Sequence, residues 1–110
     1  MNSWDLITNE IQPKLPKVLL SQEGGSRGIG AFLPAGERWQ DHETREAAWV
    51  VVLAGQVEIE HEARTQHAGT GHVFHFAEHE RREIRAVSDA TLLMVLAPYP
   101  APDHQTSARR

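Results

Sequence analysis

Hydrophobic and polar residues alternate in short runs along most of this chain, which is the pattern of β-strands. The runs KVLLS (17–21) and GIGAFL (28–33) lie on either side of QEGGSR, whose paired glycines favour a turn. Residues 47–64 pass through a β-branched stretch to Gly55 and then alternate apolar residues with glutamates. The pattern predicts a hairpin at the start and a pair of strands that bends at Gly55.

Three more short strands are predicted in the second half of the chain. They are HVFHF (72–76), REIRAV (82–87) and TLLMVLAPYP (91–100), and the first of them follows a glycine-containing turn at 68–71. Six to eight short strands without a long helical pattern predict an all-β fold, either a small antiparallel barrel or a sandwich. The only stretch compatible with a helix is a short one within residues 2–11.

The length of 110 residues fits one compact domain with a single core. Strand patterning begins at residue 17 and ends near the prolines that follow residue 97. We therefore expect an N-terminal arm over residues 1–16, a β-barrel domain over 17–97 and a flexible C-terminal tail over 98–110.

Composition excludes several kinds of chemistry and of partner. The chain has no cysteine, which excludes disulfides and thiolate metal sites. Its formal charge is −4 and it has no dense run of Lys or Arg, so we expect no nucleic-acid partner. The first residues lack a long apolar core, so neither a signal peptide nor a membrane span is predicted, and we expect a cytoplasmic protein with no membrane partner.

The spacing of three glycines and one histidine carries a resemblance to a known family. Gly36, five residues and then His42 precede the apolar strand that ends at Gly55, and Gly71 opens a second motif. Over residues 17–97 this arrangement resembles the paired motifs of the cupin superfamily, G-x5-H-x-H-x3,4-E-x6-G and G-x5-P-x-G-x2-H-x3-N. The resemblance, to small single-domain RmlC-like members, implies an antiparallel jelly-roll barrel, a ligand pocket inside it and a homodimer.

The family's metal ligands match this sequence at His42 only. Thr44 stands at the position of the second His, Ala48 at that of the Glu, and Arg82 at that of the last His. A divalent ion needs three or four protein ligands around one point, and a nearby guanidinium would repel it. No metal site is therefore predicted from the motif, and no cofactor is predicted.

The direction in which Arg82 points decides what such a pocket would bind. If it points inward, its donors, together with His42 and the Thr44 hydroxyl, suit a carboxylate, a phosphate or an enolate oxygen. In the other interpretation, EHERRE (78–83) is a solvated turn in which Arg82 pairs with a neighbouring glutamate. The sequence leaves both interpretations open.

Other histidines offer a second route to a metal, independent of the motif. His75 is expected to face inward opposite His42, and His79 is expected at the mouth of the barrel. These three are the candidate ligands of an improvised site for iron, manganese, nickel or zinc. The alternative is that the histidines lie at the surface or in an interface, above all His61 and His67.

Two tryptophans point to a pocket entrance and to an interface. Trp39 precedes His42, where it could stack on a planar ligand or pack against the end of the barrel. Trp49 lies in the apolar run, and alternation from Ala48 directs it away from the pocket. An outward Trp suggests a partner surface, in agreement with the homodimer that the resemblance implies.

Three classes of function remain open at this point. The favoured one is a module that binds a small molecule, anionic if Arg82 points inward, in an apolar pocket with few polar groups. The second is an enzyme, either metal-free with His42 as general acid or base and Arg82 stabilising an oxyanion, or a dioxygenase- or isomerase-like enzyme with a His-rich metal site. The third is a ligand-free dimerisation scaffold. The predicted ligand-binding residues are Trp39, His42, Thr44, Ala48, Val50, His75 and Arg82.

Overall fold

The chain forms nine β-strands in the part that the computed structural model describes. That part comprises residues 1–7, 11–13, 15–43 and 45–100, and residues 40–43 are described by their backbone only. The strands are β1 (Lys17–Ser21), β2 (Gly25–Leu33), β3 (Arg38–Glu43), β4 (Ala48–Ala54), β5 (Gln56–His61), β6 (Arg64–Gly69), β7 (Val73–Phe76), β8 (Arg81–Ala86) and β9 (Ala90–Tyr99).

The strands form two antiparallel sheets that face each other. The five-stranded sheet has the order β1-β2-β9-β4-β7, and the four-stranded sheet has the order β3-β8-β5-β6. Consecutive strands change sheet repeatedly, so neighbours in space are often far apart in sequence, as for β2 and β9. The predicted all-β antiparallel jelly roll is confirmed.

The core lies between the two sheets and takes alternate residues from most strands. On β4 the residues at 48, 50 and 52 are fully buried, while Trp49 between them is exposed, as the period of two in a strand requires. Paired strands supply side chains at the same level, since Val50 lies opposite both Met94 and Phe74. The buried core consists of Leu33, Ala48, Val50, Val52, Val57, Ile59, Ala68, Phe76, Ile84, Ala86, Ala90, Leu92, Met94 and Leu96.

The bend predicted at Gly55 is present and requires glycine. Gly55 joins β4 to β5 with φ of +93°, which L-residues with a side chain rarely adopt. A Cβ atom there would lie 2.1 Å from the Asp89 carbonyl oxygen. The turn therefore needs both the backbone freedom and the small volume of glycine.

Two strands, β3 and β6, were missing from the sequence prediction, which treated the first as a loop and the second as part of a hairpin loop. β6 is an edge strand on which only Ala68 is buried, so its sequence RTQHAG shows almost no apolar alternation. β3 is the other edge of the same sheet and has the polar sequence RWQDHE. Edge strands with few buried positions lack the periodic signal on which the prediction depended.

The short helix predicted within residues 2–11 is absent from the described residues of that segment, and residues 8–10 lie outside the described ones. Leu6 and Ile7 form a turn instead, in which the Ile7 amide donates to the Asp5 carboxylate at 3.0 Å. The arm then packs on β2: a Cβ atom at Gly30 would lie 3.2 Å from Ile11 and 3.3 Å from Leu6. Packing against this glycine, rather than helix propensity, determines the conformation of the arm.

The strands extend from Lys17 to Tyr99, so β9 continues two residues beyond the predicted end of the barrel at residue 97. The predicted tail lies largely outside the described residues. No helix among the described residues is long and apolar enough to span a membrane.

Candidate functional site

The interior of the barrel is apolar at one end and polar at the other. Val52, Val57 and Leu92 fill the apolar end and have no exposed surface. At the opposite end, where β4 and β8 begin and β5 ends, inward-facing positions carry charged or polar side chains. We call this end the mouth, and its polar residues are Arg27, Glu46, His61, Arg82 and Tyr99, with Glu80 on the adjacent turn.

Arg82 is the central residue of the mouth. It is only 2% exposed and shares the inward face of β8 with the core residues Ile84 and Ala86. Its guanidinium carbon lies 4.8 Å from the centroid of the Phe76 ring, and Nη2 lies 3.8 Å from the Met94 sulfur. The interpretation of Arg82 as part of a solvated turn is therefore wrong, and the inward one is right.

The apolar surroundings of Arg82 strengthen the attraction between its charge and an anion. Burial lowers the pKa of its guanidinium, although the nearby Glu80 carboxylate acts in the opposite direction. Nη1 also donates a long hydrogen bond of 3.5 Å to the Glu80 carbonyl oxygen. A guanidinium remains protonated at neutral pH even when it is desolvated, and low surrounding polarity strengthens its attraction for an anion.

A second arginine, Arg27, lies on the inward face of β2. It pairs in register with Leu96 of β9, and its neighbours at positions 29 and 31 point towards the core. Its Nη1 donates to the Tyr99 hydroxyl at 2.7 Å, and its guanidinium carbon lies 5.3 Å from the Tyr99 ring centroid. Arg27 was not predicted as a site residue.

A close polar contact between His61 and Glu80 borders the mouth. His61 Nε2 lies 2.5 Å from one Glu80 carboxylate oxygen, and the other oxygen accepts a hydrogen bond of 2.6 Å from the Ala77 amide. The His61 ring also lies 6.1 Å from the Phe76 ring, which places it on the inward side of β5. Both side chains of the pair are about one-third exposed, at 31% each.

Glu46 is the second charged residue that the structure buries, with 2% of its surface exposed. It lies two residues before Ala48, in the inward phase of β4, and therefore at the mouth. No pattern in the sequence marks Glu46 as a site residue, because it precedes the apolar run and its neighbours on both sides are polar or small.

His42, predicted as the centre of the pocket, lies on β3 directly opposite Arg82 in the strand register. Its backbone is therefore at the level of the mouth, and its side chain lies outside the described part of the chain. The predicted site residue Thr44 is also outside the described residues.

Several solved structures have a fold similar to that of this chain. An RmlC-like cupin protein from Desulfovibrio desulfuricans has a TM-score of 0.80 and 22% sequence identity, and the match covers 89% of this chain and 97% of that one. The fold is that of the RmlC-like cupins. An RmlC-like cupin from Methanocaldococcus jannaschii, described as a double-stranded β-helix, matches with a TM-score of 0.76 and 16% identity over 91% of each chain.

The likeness concerns the cupin fold and leaves function open. A conserved protein of unknown function from Streptococcus pyogenes matches with a TM-score of 0.75 and 20% identity, over 90% of this chain and 89% of that one. No protein-family model matches the sequence. No curated protein matches it either. At such identities the comparisons carry the fold, and the site must be interpreted from this chain's own residues.

The metals common in cupins do not fit the residues of this mouth. The position of the family's last histidine ligand is held by the buried, positively charged Arg82, and that of the glutamate by the methyl group of Ala48. A dication placed there would face a guanidinium in surroundings of low polarity, where repulsion is strong. Among the residues whose side chains are described, no three of His, Asp and Glu form a group that could hold a metal.

The histidines proposed for an improvised metal site are not brought together. The expectation that His75 faces inward is wrong: it is exposed on the outer face of β7, where its ring packs against Trp49 at 4.6 Å. Its neighbours Phe74 and Phe76 take the inward positions, because large apolar rings displace an imidazole from the core side of the strand. His79 is exposed in the turn after β7 with φ of +65°.

The remaining predicted pocket residues lie on the inward face. Ala48 and Val50 are fully buried and belong to the core. Trp39 is half-buried and packs against the core from β3, opposite Ile84. It also lines a shallow surface groove of about 260 Å³ beside Phe32 and Pro34, so both roles considered for Trp39 remain compatible with its position.

The residues missed by the sequence analysis share one recognisable signal. His61 continues the inward alternation of Val57 and Ile59, and Arg27 continues that of Ile29 and Ala31 in the reverse direction. Extending each apolar alternation by one more step would have identified both residues. Glu80 could not be found this way, because it lies in a turn rather than in a strand.

Proposed function

We propose that this protein binds a small anionic molecule at the mouth of its barrel, with Arg82 as the principal contact. The observation that carries this proposal is the inward, almost fully buried guanidinium of Arg82 at the polar end of the barrel interior. Phe76 and Met94 shield it from water, and an incoming anion would therefore interact with it in surroundings of low polarity.

The neighbours of Arg82 also favour an organic anion over a bare inorganic one. The Phe76 ring and the Met94 thioether offer an apolar contact surface beside the charge. A mostly apolar concavity with a few convergent polar groups is typical of small-molecule sites. A carboxylate attached to a short carbon skeleton would satisfy both parts of this surface, because Arg pairs with carboxylates through two parallel hydrogen bonds.

Thermal unfolding with added carboxylates tests the proposal. We expect acetate, butyrate or a dicarboxylate to raise the melting temperature of the wild type, by roughly 5–10 °C at ten times its Kd. Arg82→Met should abolish the rise while leaving the protein folded, since a Met side chain of similar length fits against Phe76 and Met94. Circular dichroism checks the fold of the variant.

Arg85→Met is the matched control for this experiment. Arg85 lies on the same strand but points outward, where it pairs with Glu58 and lowers the pKa of that carboxylate. The control loses the same charge from the opposite face and should keep the full response to carboxylates. If Arg82→Met responded as strongly as the control, Arg82 would not be the anion contact.

A second candidate function is self-association through the outer face of the five-stranded sheet. Trp49 and Val73 are half exposed there, at 50% and 52%. None of the outward side chains of β4, β7 and β9 is Lys, Arg, Asp or Glu, so two copies could meet without like-charge repulsion between such groups. These side chains are Trp49, Val51, Leu53, Val73, His75, Leu93, Val95 and Ala97.

A further inference from the structure

The hydrogen bond from Arg27 to Tyr99 does not fully account for the position of this charged side chain at the mouth. It is a charged residue in the inward phase of β2, one step beyond a run of core residues. A charged side chain is rarely placed on the core side of a strand unless something at that side pairs with it. The Tyr99 hydroxyl accepts a hydrogen bond from one of its five N–H groups.

The Nε atom of Arg27 strengthens this point. It is buried and has no hydrogen-bond partner among the described residues. Most buried polar groups in native proteins have a partner, and exceptions often mark a place where a ligand or water binds. The unsatisfied donor belongs to a side chain that is already held in place by Tyr99, so it is oriented before a ligand arrives.

Arg27 and Arg82 lie in opposite sheets, and each has a neighbour on β9. Arg82 contacts Met94 of β9, while Arg27 pairs with Leu96 two residues further along β9. Leu96 is level with Ala48 and Phe76 in the register of the sheet, and the Arg82 guanidinium lies over the Phe76 ring. The two arginines therefore enter the mouth at a similar level from facing sheets, which pack about 10 Å apart, so that a short carbon chain could span them.

We propose that Arg27 and Arg82 form a two-point clamp, and that the ligand of the mouth is a short dicarboxylate. This inference rests on the proposed function, because it names the class of anion that the mouth binds. One carboxylate pairs with the buried Arg82, and the other lies further out and accepts hydrogen bonds from Arg27, including one from Nε.

Calorimetric titration with two series of acids tests the clamp. Malonate, succinate, glutarate and adipate are compared with acetate, propionate and butyrate at fixed ionic strength, so that general screening is the same in each case. We expect at least one dicarboxylate to bind the wild type tenfold or more tightly than butyrate. The chain length that binds best then measures the separation of the two guanidinium groups.

Variants assign the effect to Arg27. Arg27→Met should reduce the affinity for the best dicarboxylate to the level of a monocarboxylate, a loss at least tenfold larger than the loss of butyrate affinity in the same variant. The double variant with Arg82→Met should bind neither series.

Arg64→Met, which removes an exposed arginine at the start of β6, is the control and should behave as the wild type. Tyr99→Phe, which removes only the hydroxyl that holds Arg27, should weaken dicarboxylate binding even if Arg27→Met does not fold.

The possible results separate the clamp from the proposed function. If both acid series bind alike through Arg82 and neither Arg27→Met nor Tyr99→Phe changes the affinity, the clamp is refuted and the anion site stands. If the wild type binds no acid of either series, both the clamp and the anion site are refuted. A dicarboxylate preference that persists in Arg27→Met would show that another residue holds the second carboxylate.

Discussion

Arg82 illustrates how much one side chain can change the chemistry of a fold. In the cupin motif its position belongs to a metal ligand, and here it carries a positive charge into the interior. A buried guanidinium beside Phe76 and Met94 cannot serve the same chemistry as an imidazole that donates an electron pair to a metal. The identity of this residue was visible in the sequence, but its direction was not, because a charged run such as EHERRE is compatible with a turn in water.

A prediction at this scale concerns His42, whose backbone lies opposite Arg82. His42→Ala should leave the melting temperature nearly unchanged and weaken carboxylate binding about five- to thirtyfold, because one hydrogen bond to a charged group is lost. Titration calorimetry measures the affinity.

The control for His42 is His67→Ala. His67 pairs with Glu58 at 2.9 Å on the outer face, and its side chain is 71% exposed. Its loss should not change the affinity. Equal affinities in the two variants would remove His42 from the binding site and with it the role of general acid or base considered for it.

At the scale of elements, the sequence predicted most of the strands that contribute to the core, and also β1, none of whose residues is buried. β1, β4, β7, β8 and β9 were placed within one residue of their observed bounds, whereas β2 begins three residues before its predicted start and β5 ends three residues before its predicted end. β3 and β6 are edge strands whose pairing depends on distant partners rather than on a local pattern. The residues of the mouth were only partly predicted, because they lie at the ends of strands, where the alternation of apolar and polar residues stops.

Two glycines allow a prediction about the turns between these elements. Gly55 and Gly71 have nearly the same φ, +93° and +94°, but a Cβ atom would collide with the Asp89 carbonyl only at Gly55. Gly71→Ala should cost about 1–2 kcal/mol of unfolding free energy from the positive φ alone. Gly55→Ala should cost at least about 2 kcal/mol more, because the backbone of Asp89 must also move.

Urea denaturation of both variants measures the difference in unfolding free energy. Gly55 and Gly71 have nearly the same φ. The difference between the two losses in unfolding free energy therefore measures the effect of the close packing of β4, β5 and the loop before β9. Similar losses in both variants would show that the bend at Gly55 can relax, and that its packing against Asp89 does not determine the turn.

At the scale of the whole molecule, the two sheets present different outer surfaces. The four-stranded sheet carries ion pairs between neighbouring strands, such as Arg38 with Glu83 at 3.0 Å and Glu58 with both Arg85 and His67. The five-stranded sheet is apolar on its outside around Trp49. This asymmetry supports the proposal that one sheet faces water and the other a second copy.

Trp49→Glu tests that proposal. A carboxylate at this position would be buried without a partner in the interface, so we expect the variant to sediment as a monomer at concentrations where the wild type is a dimer. Gln66→Glu introduces the same charge on the exposed strand β6 and should leave the dimer intact. A Trp49→Glu variant that remained dimeric would place the interface elsewhere, and a monomeric wild type would remove the need for one.

The contact between Arg82 and Phe76 also provides a spectroscopic signal. Ring currents shift the resonances of protons that lie over an aromatic face, and burial slows their exchange with solvent. The Arg82 Nε proton should therefore remain visible in a nitrogen-edited proton spectrum at a pH where exposed arginines such as Arg64 lose theirs to exchange. A single resonance, followed through a titration, would report whether the mouth is occupied without any engineered probe.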